Sequence, residues 1–427
     1  MYDQTAPEAG GDCGNRPSPT ESASAKPATG IAYDNRNFSL GLAGLRGFAA
    51  VAVVIYHVFH VLPIAGIDGP EEVMVDVFDG PLLAQHVFLG FFNGRGAVTL
   101  FFVLSGCVLA LSLDRQPRFG LGDVGGYLIR RGFRLYPLLI FAASLGAVLQ
   151  YFIQPGVIEA ASRWVNHHYN VPDGDIPREW VLNALGASAT LNSPAWSIRV
   201  ELLASLIFPI LYLLSLRPWI AAASGVCFLA LMFVPLGNPQ SLMLMNIFSF
   251  SFFLGALIPR YGTHVADWYG KLGRSGRLLI LAGTILPFMF ARRLIEPAAF
   301  APPPVVLIET VCSAMIVTLV LYRPAPSILI TPFAQMLGRV SYGIYLLHLI
   351  VLLALVHAIF PALPAMEAVS AIALTVVLCI ATLAITVPIS WATYEVLEAP
   401  LQRAGSRTAR YWDQLSGQPA SPRVEHR

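Results

Sequence analysis

The chain has 427 residues, 56% of them hydrophobic and only 12% charged, with a formal net charge of +2 and a mean hydropathy of +0.64. That composition excludes an ordinary soluble enzyme and points to an integral membrane protein. The small net charge gives no footprint for nucleic acid. The five cysteines (Cys13, Cys107, Cys227, Cys312 and Cys379) have neither metal-ligand nor disulfide spacing, so no metal site is expected.

Residues 1–37 are rich in Gly, Pro, Ser, Ala and Thr and contain no apolar run. They read as a disordered cytoplasmic tail rather than a signal peptide. The first apolar segment, about 42–62, is long enough to cross a bilayer as a helix. Two residues interrupt it, Arg46 and His57. Eleven residues at about 100° each leave the two side chains roughly 20° apart on one face, and at about 1.5 Å per residue roughly 16 Å apart along the axis. An arginine at the interface and an imidazole deep in the hydrocarbon follow, and an ionisable group at that depth marks a functional site. His60 reads as a packing residue near the far interface.

Nine further spans follow, at about 97–113, 135–153, 198–216, 219–236, 242–258, 278–291, 305–322, 340–359 and 369–394. The expected fold is therefore all-α and polytopic, with about ten transmembrane helices in a unit covering 38–403. A polar cytoplasmic tail is expected at 404–427. Arginine and lysine crowd the connectors after the second, fourth, sixth and eighth spans, which places both termini on the cytoplasmic side. Arg292 and Arg293 close the seventh span on the opposite side. Ser193 and Pro194 make a favourable helix start, as N-cap and first helical residue.

Several polar positions stand out inside this frame. Ser105-Gly106, within the second span, reads first as a close-packing site. Arg130, Arg131 and Arg134 gather at the start of the third span, either as a positive-inside anchor or as a clamp for a phosphate-bearing ligand. Glu201, one turn inside the fourth span after Trp196-Ser197, can pair with Arg199 or another helix, orient the histidine, or meet a hydroxyl substrate. Ser341, Tyr345 and His348 fall on one face of the ninth span, which must then face protein or a cavity. Glu395 and Glu398 end the tenth span opposite the arginines and read as salt-bridge partners.

In order along the chain, these residues resemble the acyltransferase 3 family of membrane-bound O-acyltransferases. The resemblance is carried by Arg46 through His57, Phe102-Val103-Leu104-Ser105-Gly106, and Arg130-Arg131 with Arg134-Leu135-Tyr136-Pro137. It continues through Trp196-Ser197 with Glu201, Ser341-Tyr342 with Tyr345 and His348, and Glu398 with Pro400. Arg199 and Ala399 depart from the usual pattern. The resemblance implies an acyl-CoA donor, acetyl-CoA foremost, and a sugar hydroxyl on a surface polysaccharide, lipid-linked glycan or glycoside as acceptor. It implies a place in the bacterial inner membrane. Expected roles are catalytic for His57, Glu201 and His348, donor-binding for Arg46, Arg130, Arg131 and Arg134, and substrate-binding for Trp196, Ser197 and Tyr345. A neutral His57 would either deprotonate the acceptor or carry the acyl group covalently. A proton-coupled transporter is the alternative from another class, although no repeated halves are evident.

Overall fold

The computed structural model describes residues 35–63, 80–114, 121–153, 158–168, 174–237, 240–295, 300–363 and 368–415. Most of the expected N-terminal tail, the acidic segment 68–79, Arg115, Arg118 and residues 416–427 lie outside the described residues. The α-helices are α1 (Asn35–Val58), α2 (Gly80–Phe91), α3 (Gly94–Asp114), α4 (Leu121–Phe152), α5 (Arg163–His168), α6 (Ile176–Ala184), α7 (Ala195–Ser215), α8 (Pro218–Met232), α9 (Gln240–Lys271), α10 (Arg274–Ile295), α11 (Pro303–Tyr322), α12 (Pro332–Arg339), α13 (Ser341–Ile359), α14 (Ala368–Thr393) and α15 (Ala399–Leu415). The described residues contain no strand. Nine helical stretches among them are long and apolar enough to cross a membrane. The chain is an all-α, multi-pass membrane protein.

Each expected span has a helix. The fifth is the shortest: α8 has 15 residues, roughly 23 Å at about 1.5 Å per residue, against a hydrocarbon core of about 30 Å. Pro235 lies just beyond its end, and a proline disfavours helix in the residue before it. The helix α7 begins at Ala195 with Pro194 as N-cap and no side-chain cap, so Ser193 does not cap it. The carbonyl of Pro194 is instead used by the site described below.

Small residues set the closest helix crossings, as expected where lipid supplies no hydrophobic drive between helices. A methyl group on Gly106 would collide with the Phe252 carbonyl, and one on Gly255 with the Val103 carbonyl, so α3 and α9 meet backbone to backbone. In the same way Gly47 of α1 lies against Gly338 at the end of α12. Two large apolar cores result, beside a small cluster of Tyr56, Phe59 and Leu89. One surrounds α3 and α9, and the other joins the His57 end of α1 to α13 and α14.

Two expectations are corrected. Arg292 and Arg293 do not flank a short seventh span: α10 runs on to Ile295 and buries both, each 2% exposed. The reason is Glu309 of α11, which is 0% exposed. Arg292 donates Nε to Glu309 Oε1 and Nη2 to Oε2, both at 3.2 Å. Asn93 Nδ2 adds a bond to Oε1 at 3.0 Å, and Thr99 Oγ1 one to Oε2 at 3.1 Å. A carboxylate that meets no water needs such partners on both oxygens. Nor does the chain turn into a polar tail at 404. The helix α15 continues to Leu415 and buries Gly405, Ala409 and Asp413 at four-residue spacing, with Gly405 against Phe133 of α4.

Glu309→Ala strands the Arg292 guanidinium, and loss of about 3–5 kcal/mol is expected, read as an earlier unfolding transition in detergent. An unchanged transition would mean that the pair does not tie α3, α10 and α11 together.

Candidate active site

The helix α1 ends at Val58, one residue past His57, so the imidazole sits in the last helical turn rather than in mid-span. The chain then tightens, with His60 N–H bonded to the His57 carbonyl and Val61 N–H to that of Val58, each at 3.1 Å. Phe59, His60, Val61 and Leu62 are all buried.

His57 and His348, 291 residues apart, meet at 2.9 Å from Nδ1 to Nε2. His57 Nδ1 also lies 3.0 Å from the Val53 carbonyl, and His348 Nδ1 lies 3.1 Å from that of Ile344. A carbonyl only accepts, so these contacts favour the tautomer with hydrogen on Nδ1 of each ring. In that tautomer His57 Nδ1–H is shared between the Val53 carbonyl and His348 Nε2, and the lone pair of a neutral His57 is on Nε2. His348 is fully buried and His57 half-buried.

Toward the Arg46 end lies a cavity of about 250 Å³ between α1, α3, α4, α7, α13 and α15. Arg46, Arg130, Arg131 and Arg134 line it, against one lining carboxylate, Glu201. Arg131 Nη2 donates to Glu201 Oε1 at 2.7 Å, and Ser105 Oγ donates to the same oxygen at 2.8 Å. Arg131 Nε also reaches Ser205 Oγ at 3.1 Å. Arg130 lies 3.5 Å from Asp413 of α15. Arg46 and Arg134 have no hydrogen bond or ion pair among the described residues; their carboxylate neighbours are Glu201 and Glu398, at longer range. Glu398 is buried in a π-helical turn, Tyr394–Glu398, its Oε1 without a partner. The salt bridge expected of it is therefore absent among the described residues. Glu395 is exposed.

The remaining site candidates divide between the cavity and its walls. Ser197 Oγ and Tyr345 Oη are 2.7 Å apart, and both reach the Pro194 carbonyl, at 3.1 and 3.2 Å. Ser197, Ser341 and Tyr345 line the cavity, whereas His57 and His348 do not. The Tyr345 ring, which lines the cavity, lies 6.2 Å from that of His348. Trp196 is not a lining residue; it packs among Phe102, Phe248 and Phe300. Arg199 turns away from Glu201 and donates to the Ala187 carbonyl at 3.1 Å.

Three features escaped sequence reading. The Glu309 cluster had a signal, a lone carboxylate inside an apolar span. The cavity surface supplied by Gln402 and Ser406 of α15 lay in a segment read as tail. Trp164 of the short α5 stacks on His57, with centroids 5.6 Å apart and planes at 28°. No local pattern announces that contact.

Paired histidines inside a helical bundle lie next to a cavity rich in arginine. A family model described as an acyltransferase domain matches residues 39–391, and the chain belongs to the acyltransferase 3 family. Membership of a family whose model describes an acyltransferase domain weighs against the transporter alternative. The chain is 34% identical over 122 residues to "Protein 2 in picA locus" of Rhizobium radiobacter. That match covers 26% of this chain and spans 63% of the relative's length. No solved structure matches the chain.

A double-mutant cycle of Arg131→Ala and Glu201→Ala is expected to show coupling of about 0.5–3 kcal/mol in detergent unfolding. Strictly additive losses would mean that the ion pair contributes nothing beyond its two side chains.

Proposed function

We propose that the protein is an O-acyltransferase of the bacterial inner membrane. It moves an acyl group, acetyl in the simplest case, from cytoplasmic acyl-CoA to a hydroxyl of a sugar in a surface polysaccharide, lipid-linked glycan or related glycoside. The observation that carries this reading is the pair of cavity guanidiniums, Arg46 and Arg134, without a partner among the described residues. Two half-buried cations at a cavity wall suit an anionic ligand. The phosphates of CoA supply one, and Arg130 and Arg131 flank the same wall.

With the nucleotide at the arginine end, the pantetheine arm lies along the wall formed by Phe101, Val98 and Ile198 and carries the thioester toward Tyr345 and the histidines. That route fits the expectation, drawn from the arginine distribution, that both termini are cytoplasmic. His57 Nε2 then takes the proton of the acceptor hydroxyl. The alkoxide attacks the thioester carbonyl, a C–O bond forms and the C–S bond breaks. The proton passes from His57 to the departing thiolate. His348 holds the imidazole of His57 in the required tautomer through the 2.9 Å bond. Glu201, tied to Arg131 and Ser105, acts by fixing the arginine wall rather than by proton transfer.

The test is titration of the protein in nanodiscs with acetyl-CoA. Arg46→Ala and Arg134→Ala should each weaken donor binding. His57→Ala should retain binding and lose transfer by about 10²–10⁴-fold, the usual share of a general base. Failure of the parent to bind acyl-CoA of any chain length would sink the donor assignment, and full activity in His57→Ala would sink the mechanism. A radiolabelled acyl group trapped on His57 would replace direct transfer by an acyl-histidine route.

A further inference from the structure

The end of α1 opposite Arg46 has its own architecture, which the donor cavity does not explain. The segment 158–168, between α4 and α6, folds onto the residues that follow His57. Ser162 is fully buried there. Its N–H donates to the Val61 carbonyl at 2.8 Å, and its hydroxyl donates to the His60 carbonyl at 2.6 Å. Asn166 closes the segment on itself, accepting from Ile158 N–H at 2.8 Å and donating to the carbonyls of Ile158 and Ser162, both at 3.2 Å. Val165 and Ala161 complete the attachment by entering the apolar core with Val61 and Leu62. A short polar connector is thus fixed in place at several points. What it presents is the indole of Trp164, half-buried, stacked on His57 and 6.0 Å from the His60 ring.

His57 therefore has two ring neighbours, His348 at 4.9 Å and Trp164 at 5.6 Å. The first is fully buried and supplies the hydrogen bond. The second is partly exposed, at the end of α1 away from the arginine cavity, and supplies an apolar face. An acyl transfer needs its acceptor oxygen within reach of the same imidazole that faces the donor carbonyl. A pyranose offers a face of C–H bonds with hydroxyls at its edge, and a rigid aromatic plane beside a polar group orients such a ligand.

We propose that Trp164 is the acceptor platform: it seats the sugar ring next to His57, on the side opposite the donor cavity, and so selects a cyclic glycoside over a small alcohol. The proposal rests on the acyl-CoA reading above. It makes the 158–168 segment a specificity element, with Ser162 and Asn166 as its positioning residues.

The experiment uses the full chain in nanodiscs, radiolabelled acetyl-CoA as donor, and methyl glycosides of glucose, galactose and mannose as acceptor probes. Trp164→Ala should raise the acceptor KM by about tenfold, while kcat and the acetyl-CoA Kd each move by less than about twofold. Trp164→Tyr, which keeps a ring face, should restore most of the loss. A fall in kcat at unchanged acceptor KM would overturn the proposal, since Trp164 would then only brace the imidazole. So would an unaltered Trp164→Ala, or a Trp164→Tyr no better than alanine. A parent that binds acetyl-CoA but acylates none of the glycosides overturns the sugar assignment alone. A parent that binds no acyl-CoA overturns the reading beneath it.

Discussion

Charge held away from water has to be answered locally, and that constraint arranges this bundle. Glu309 is answered in full: two bonds from Arg292 and one each from Asn93 and Thr99 occupy both oxygens. Glu201 is answered by Arg131 and Ser105. The first set joins α10 and α11 to the start of α3, and the second joins α3, α4 and α7 around the cavity. Removing either member of a buried pair leaves a charge with nowhere to go, which is why such pairs fix helix positions even where their net energy is small. Against that background, the guanidiniums of Arg46 and Arg134 differ from their neighbours. They face a cavity instead of a carboxylate.

Much of the fold was legible because hydropathy and length decide it. Every expected span has its helix, although His57 sits in the last turn of α1 instead of at mid-span. The misreadings share a cause, which is that a charged residue was taken to mark a boundary. Arg292 and Arg293 read as the end of a span until Glu309, sixteen or seventeen positions on, is brought beside the helix. Arg403, Arg407 and Arg410 read as the start of a tail, yet they occupy the exposed face of α15 while Gly405, Ala409 and Asp413 pack on α4.

Other limits are geometric. Arg199 was offered as a partner for Glu201, but residues two apart on a helix point to opposite sides, and Arg131 takes that role from another helix. Ser105 and Gly106 were read together as packing residues. The structure divides them, with Gly106 against α9 and Ser105 in the cavity on Glu201. The stripe Ser341, Tyr345 and His348 correctly turned α13 toward the site. That His348 should touch His57 itself depends on the crossing of α1 and α13, which no pattern within either helix encodes. Trp164 is the extreme case, since its place comes from hydrogen bonds made by Ser162 to backbone a hundred residues earlier.

The bond between His57 and His348 also has a meaning in time. The two residues are separated by 291 positions, and at about 5–20 residues per second a ribosome needs roughly 15–60 s to cover that distance. Throughout that interval α1 is already made while the group that sets the tautomer of its imidazole does not yet exist. A chain halted before α13 would hold Arg46 of the arginine-rich cavity and a histidine without the ring it meets. The pair is thereby reserved for molecules whose last helices have been made.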